Sequence, residues 1–426
     1  MAEPDTSLLR DPLTFRDPYP AYAALRKHSP LQMSRSSWIL LSYEHVRTAL
    51  ADPERFSSNV RGSDNPVFRD TLLRREPARR HRFVAFVDAN VAASFPSLVH
   101  DIAGYAVVHG DAMELVAAPE VVPGGEQVKN DPALLTRLQQ RLVELGIDRH
   151  AFIVGIGGGA FLDLIGYVAS STHRGIRHVR VPTTVLAQND SGVGVKNGVN
   201  AFGVKNLLGS FAPPFAVLND ADFLRTLHPR DKIAGIAEAV KVALIRDRMF
   251  FEWLEAKAGA LRECEGAAMA RMIRRCAELH MRQIAHGGDP FETGSARPLD
   301  YGHWSAHKLE ALTAHELRHG EAVAIGLALD ARYSVQVGML AGGGEERVHA
   351  LLKRLGFHLW HAALESRDSD GHWLLLRGLQ EFREHLGGDL TITLLRDIGV
   401  GEEVHHMDPD EILRALAWLR RREQGA

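Results

Sequence analysis

The chain has 426 residues, 45% of them hydrophobic and 24% charged, with a formal net charge of -3. That length exceeds one average domain and predicts two or three, each with room for a core. The balanced charge excludes the basic excess of a nucleic-acid binder, and no apolar run is long enough to span a bilayer, so neither partner is expected.

Met1 to Asp5 lacks a basic segment followed by an apolar run, so no secretory signal is expected. Asp17 to Arg26, Trp38 to Val46 and Ala51 to Ser58 resemble the amino-terminal region of a bacterial cytochrome P450. A working haem enzyme of that kind needs a cysteine thiolate in a late glycine-rich loop, which this sequence lacks. Residues 1–80 are therefore expected to form a leader of one helix and a short hairpin, and the arginine-rich run from Arg74 to Arg82 a solvated linker.

From Phe83 the pattern becomes strand–helix alternation. Phe83 to Val87 predicts a strand, and the polar turn Asp88-Ala89-Asn90 suits the ribose or adenine end of a nucleotide. Glu114 to Ala117 predicts a further strand, and Pro123 to Asn130 a turn opening a helix through Leu145. Phe152 to Ile156 is a short apolar run ending in Gly157, Gly158 and Gly159, after which Ala160 to Ala169 predicts a helix. Glycines between a strand and a helix N-terminus let backbone N–H groups approach a pyrophosphate. Ile176 to Val181 predicts the next strand. The runs from Gln188 to Gly198 and Gly203 to Asn206 are rich in glycine, amide, carboxylate and lysine, a composition suited to a polar site. Such alternation predicts an α/β domain over 81–225, with a mostly parallel sheet covered on both faces and ligands at the carboxyl ends of its strands.

After Thr226, 3.6-residue periodicity takes over and predicts an all-α domain over 226–426. Helices are expected over Ile233 to Ile245, Met249 to Leu261, Ala267 to Ile284, His303 to Leu312, Glu321 to Val337, Glu345 to Arg354 and Pro409 to Arg421, the last with Asp408 as N-cap. Cys264 and Cys276 lie in one helical-looking segment and are expected to be free thiols in a cytoplasmic protein. Glu238 is a lone carboxylate on an apolar segment. With His303, His307 one turn later, and His319, it makes a candidate divalent-metal site between the two domains.

Gly157 to Asp163, His173-Arg174-Gly175, Pro182-Thr183-Thr184, Asp190-Ser191, Lys196 and Lys205-Asn206, in this order and spacing, resemble the 3-dehydroquinate synthase superfamily of sugar phosphate cyclases. The resemblance runs from about Phe83 to about Gly401. It implies that Glu238, His303 and His319 hold Zn²⁺ or Co²⁺, and that His307 assists proton transfer and contacts phosphate. Lys196, Lys205, Asn206, Lys241 and Arg174 would surround the substrate, with Asp190 beside substrate and nicotinamide. NAD would be contacted by Asp88, Glu126, Lys129, Gly158, Gly159, Asp163, Thr183, Thr184 and Thr226. The implied reaction oxidises a ring carbinol, eliminates phosphate, returns the hydride and closes a carbocycle by an aldol step. A homodimer acting on a small sugar phosphate is implied as well.

The match breaks where dehydroquinate synthases receive the substrate carboxylate. Their lysine position reads Arg282, their arginine position reads Ala296 with Arg297 next to it, and their asparagine is Asp300. Like charges a few ångströms apart in a desolvated cleft cost several kcal/mol, so Asp300 disfavours a carboxylate and suits a hydroxyl. Their late phosphate-binding lysine has no clear equivalent here, and Arg383 is the candidate replacement. The expected substrate is a seven-carbon ketose phosphate, sedoheptulose 7-phosphate ahead of the heptulosonate phosphate of 3-dehydroquinate synthase proper. A metal-dependent polyol dehydrogenase and an inactive binding protein are the other readings. The first has no use for so many lysines, and the second would be expected to have lost a ligand.

Overall fold

The computed structural model describes residues 31–32, 38–39, 79–202, 204–286, 298–314, 316–385 and 390–424. The chain divides into two units, Met1–His81 with Gly104–Glu114, and Arg82–Ala103 with Leu115–Ala426. In the first, strands Leu31–Gln32 and Trp38–Ile39 pair antiparallel, and Arg80 lies 3.3 Å from Glu114. The rest of the P450-like leader falls outside the described residues, as do Ala296 and Arg297.

The nucleotide half is built on β1 (His81–Asp88), β2 (Met113–Leu115), β3 (Glu120–Val122), β4 (Phe152–Gly157), β5 (Arg177–Pro182) and β8 (Ala216–Val217), with the antiparallel hairpin of β6 (Lys196–Ala201) and β7 (Val204–Phe211) beside them. Strands β8, β5, β4 and β1 lie side by side in that order, all parallel, and β3 joins β1, also parallel. Every residue of β4 is buried, because helices cover both faces of a parallel sheet. Helices α1 (Ala89–Ser94), α2 (Leu98–Val108), α3 (Pro132–Glu144) and α4 (Gly159–Ser171) supply the connections. Helix α3 starts where Asp131 accepts from Leu134 N (3.0 Å) with Pro132 at the first helical position. The strand expected over Glu114 to Ala117 begins one residue earlier, at Met113.

The second half comprises α5 (Pro229–Ala234), α6 (Ile236–Arg246), α7 (Arg248–Arg262), α8 (Gly266–His286), α9 (His303–Leu312), α10 (His319–Gln336), α11 (Gly344–Leu355), α12 (Leu374–His385) and α13 (Pro409–Gln424). Where the sequence predicted one helix over Ile233 to Ile245, the structure has two. The break falls at Gly235, whose carbonyl accepts from Asn189 Nδ2 (2.8 Å) and where a Cβ would stand 2.6 Å from Val185. Helix α6 is buried along its whole length from Ile236 to Ile245, so it carries no amphipathic stripe and forms the centre of the helical core. In this half α12 and the antiparallel hairpin of β9 (Ile392–Asp397) and β10 (Val400–Val404) went unpredicted, as did α1, α2, β3 and the β6–β7 hairpin in the nucleotide half. The β9–β10 hairpin is held to α6 by Gly399 N, which donates to Leu244 O at 2.7 Å. Among the described residues, no helix is long and apolar enough to cross a membrane.

Candidate active site

At the end of β4 the chain turns through Gly157 and Gly158 into α4, whose N-cap Gly158 offers no side chain to the first-turn N–H groups. A Cβ on Gly159 would meet Ser191 Oγ at 2.5 Å, and one on Gly158 would meet Thr184 at 3.3 Å. The cradle is therefore bare backbone, shaped for an anion at a helix N-terminus. Thr183 N donates to Gly157 O (3.0 Å), and Thr184 Oγ1 accepts from Ala187 N (3.1 Å), which caps the turn leading to Asp190. Asp88, at the end of β1, accepts from Asn90 N (2.8 Å) and packs so tightly on Gly124 that no side chain fits there. Burial raises the Asp88 carboxyl above its usual range against that hydrogen bond. Lys129 is buried and donates to Asp163 Oδ2 (2.8 Å) on α4 and to Asn206 on β7, while Glu126 Oε1 is buried without a hydrogen-bond partner.

The polar loop after Thr184 is organised by a residue that sequence reading passed over. Arg180, fully buried on β5, donates to the carbonyls of Ser191 (3.4 Å), Gly192 (3.2 Å), Gly194 (2.9 Å) and Lys196 (3.2 Å), and to Asn197 Oδ1. One guanidinium thereby sets the path of the segment that carries Asp190 and Lys196. Burial pushes its pKa down to about 10, with Asp163 opposing, so it stays charged near neutrality.

The helical half brings the expected metal ligands together. Glu238 on α6 is 0% exposed; its Oε1 lies 3.7 Å from His303 Nε2 and 3.3 Å from His319 Nε2. One ligand atom from each of the three residues lies within 4.8 Å of the other two. Lys241, one turn along α6, rests against Glu238 Oε2, yet neither carboxylate oxygen has a well-aimed hydrogen bond. A buried carboxylate lacking donors, beside two imidazole nitrogens, is the donor set a tetrahedral divalent metal takes. Burial pushes Glu238 up, but Lys241 and His319 outweigh it and hold the carboxyl down to about 2. Burial, then Lys241 and His307, push His303 well below the usual imidazole range, so it is neutral and free to ligate. Its Nδ1 faces Tyr301 O at 3.1 Å, which leaves Nε2 turned toward Glu238.

Local sequence explains these positions. Gly302, N-cap of α9, has φ 77°, and Asp330 on α10 holds the turn by accepting from Gly302 N (3.2 Å) and Trp304 Nε1 (3.0 Å). His319 is the first residue of α10, two residues ahead of the expected helix start. A Cβ on the next residue, Gly320, would lie 1.8 Å from Ala234 O, so only glycine lets α10 begin against the end of α5.

Near the trio lie several of the expected substrate residues. Lys241 Nζ is 3.9 Å from Asp190 Oδ1, and the two carboxylates Glu238 and Asp190 outweigh burial to raise its pKa. Asp190 also stands 3.0 Å from His280 Nδ1, a buried imidazole on α8. The ring of His307 is 5.3 Å from that of His303 and 6.0 Å from that of His319. Surrounding protein and then His319 lower His307, a shift moderated by solvent along its exposed edge. Asp300 is pushed up by burial, but nearby positive charge, Lys196 first and Lys241 with it, more than offsets this and keeps it ionised. Lys205 Nζ reaches Glu310 Oε1 at 3.2 Å. Arg174, Thr226, Arg282 and Arg383 are exposed. On α8 it is His280, two residues before Arg282, that turns inward.

The sequence profile of the 3-dehydroquinate synthase N-terminal domain matches residues 120–234, and that of the C-terminal domain matches residues 235–372. The chain belongs to the 3-dehydroquinate synthase superfamily. The profiles meet at Gly235, between α5 and α6, and the α/β half followed by a helical half is the dehydroquinate synthase-like fold. Within the superfamily, the chain is similar to 2-epi-5-epi-valiolone synthase from Streptomyces hygroscopicus subsp. jinggangensis 5008, whose structure has NAD⁺ and Zn²⁺ bound. That likeness has 29% identity and a TM-score of 0.72 over 82% of this chain and 93% of the other. A 2-deoxy-scyllo-inosose synthase complexed with carbaglucose-6-phosphate, NAD⁺ and Co²⁺ shares the fold at 24% identity and TM-score 0.65, over 81% and 91% of the two chains. A probable glycerol dehydrogenase from Sinorhizobium meliloti 1021 shares it at 16% and 0.54, over 82% and 93%.

Proposed function

We propose that the chain is an NAD- and metal-dependent sugar phosphate cyclase, a carbon–oxygen lyase that converts a seven-carbon ketose phosphate into a carbocycle with loss of phosphate. The observation that carries this reading is the Glu238–His303–His319 trio sharing Glu238 with the buried Lys241–Asp190 pair. A divalent metal at the trio supplies Lewis-acid polarisation, and NAD⁺ at the α4 N-terminus supplies a reversible hydride acceptor. The bare Gly157–Gly159 backbone seats the dinucleotide's phosphates, with Asp88 and the Lys129–Asp163 pair beside them. Lys241, held protonated by two carboxylates, orients substrate oxygens. Lys196 and Lys205 provide charge for the substrate phosphate, and neutral His307 accepts a proton. The same reading makes the protein a cytoplasmic homodimer.

The preference for sedoheptulose 7-phosphate over the heptulosonate phosphate rests on Asp300. An ionised carboxylate at this position repels a substrate carboxylate and accepts from a hydroxyl. Steady-state kinetics on both sugars test it. The wild-type protein is expected to favour sedoheptulose 7-phosphate, and Asp300→Asn to narrow that preference by about tenfold, or roughly 1.4 kcal/mol. Wild-type preference for the carboxylated sugar, with Asp300→Asn unchanged, would assign the protein to 3-dehydroquinate synthase proper.

A further inference from the structure

Glu310 lies on α9, seven residues after His303, and is 4% exposed. Both of its carboxylate oxygens are engaged. Oε2 stands 3.0 Å from His319 Nδ1, and Oε1 accepts from Lys205 Nζ at 3.2 Å. The His319 imidazole thus bridges two buried carboxylates, Glu310 at Nδ1 and Glu238 3.3 Å from Nε2. An ionised carboxylate can only accept, so Glu310 keeps a proton on His319 Nδ1 and leaves Nε2, the nitrogen facing Glu238, as the one that would ligate a metal on giving up its own proton. Lys205 sits on β7 next to Asn206, which Lys129 joins to Asp163 on α4. Side-chain contacts, with the Lys205–Asn206 peptide link between them, therefore connect Asp163 on α4 to His319.

We propose that Glu310 is a positioning residue: it fixes the tautomer and orientation of His319 for the metal and, through Lys205, ties the metal site to the β6–β7 hairpin. The proposal rests on the metal-binding part of the function proposed above. Glu310, His307 and His319 also present ligand atoms within 4.8 Å of one another. Because Glu310 occupies the Nδ1 side of His319, it supports the ligand and does not bind the metal on the Nε2 side.

The test is the affinity of purified full-length protein for Zn²⁺, measured by competition with a chelator, together with the absorption spectrum of the Co²⁺ form and a melting curve. Outer partners of ligating histidines typically contribute 10–100-fold to metal affinity, so a loss of roughly that size is expected for Glu310→Ala. Glu310→Gln keeps an acceptor without the charge and is expected to recover part of the loss, with the Co²⁺ band pattern of the wild type. Unchanged Zn²⁺ affinity in both variants overturns the proposal, as does a Co²⁺ spectrum that changes pattern in Glu310→Gln, which would make Glu310 a ligand. If Glu310→Ala fails to melt cooperatively, Glu310→Gln alone decides. Glu238→Gln is run alongside: Zn²⁺ affinity indifferent to Glu238 would overturn the metal reading itself and the role of Glu310 with it.

Discussion

Glu238→Gln is expected to lower turnover by roughly 10³-fold or more, since about 4 kcal/mol of metal-derived charge stabilisation is at stake and 1.36 kcal/mol is a decade in rate. Metal content after dialysis should fall in parallel. The substitution keeps the side chain's shape but removes the carboxylate that Lys241 rests against, leaving Asp190, 3.9 Å away, as its ion-pair partner. Breaking a buried pair costs about 3–5 kcal/mol, so melting must be measured beside activity to separate the two effects. A folded Glu238→Gln protein that keeps its metal and more than about a tenth of wild-type turnover would remove Glu238 from the ligand set.

The second large effect is expected at Arg180, which touches neither the metal trio nor the glycine cradle in the contacts described. Arg180→Met would leave the carbonyls of Gly192, Gly194 and Lys196, and Asn197 Oδ1, without their shared donor. Unsatisfied buried acceptors cost about 1–3 kcal/mol each before relaxation, so a net destabilisation of roughly 3–5 kcal/mol is expected in denaturant titration. The loop carrying Asp190 and Lys196 should also shift, and a 1 Å misplacement of such groups can cost about 10²-fold in rate. Arg180→Lys should rescue little, because an ammonium cannot reproduce a five-donor planar fork. Near wild-type stability and turnover in Arg180→Met would refute this role.

The centre of the nucleotide half was legible in the sequence because its signals are local. The apolar run of β4, the three glycines and the apolar start of α4 are contiguous, and in the structure Gly157 ends the strand, Gly158 is the N-cap and Gly159 begins the helix. Helix α9 was also placed to the residue, since Gly302 and Thr313 bound it sharply. What failed was non-local. The α5–α6 break depends on Val185 and Asn189, some fifty residues earlier in the chain, and the β9–β10 hairpin is fixed against α6.

Two site residues were within reach but missed. On α8 the buried positions Met269, Met272, Ile273, Cys276, Ala277 and His280 follow helical spacing, so the periodicity itself puts His280 inside and Arg282 outside. Arg180 was signalled as a cation between two valines in a strand of mostly buried residues. Glu310 and Asp330 gave no such cue, because their partners, Lys205 and His319 for one and Gly302 and Trp304 for the other, become neighbours only through folding.

The most direct measurement is inorganic phosphate release with absorbance followed for NADH, on sedoheptulose 7-phosphate and the heptulosonate phosphate separately, with NAD⁺ and Zn²⁺ or Co²⁺ supplied. The account predicts phosphate release from sedoheptulose 7-phosphate without net NADH, because the hydride removed early in each turnover is returned later in it. NADH accumulating without phosphate would contradict it and make the protein a polyol dehydrogenase on the same fold.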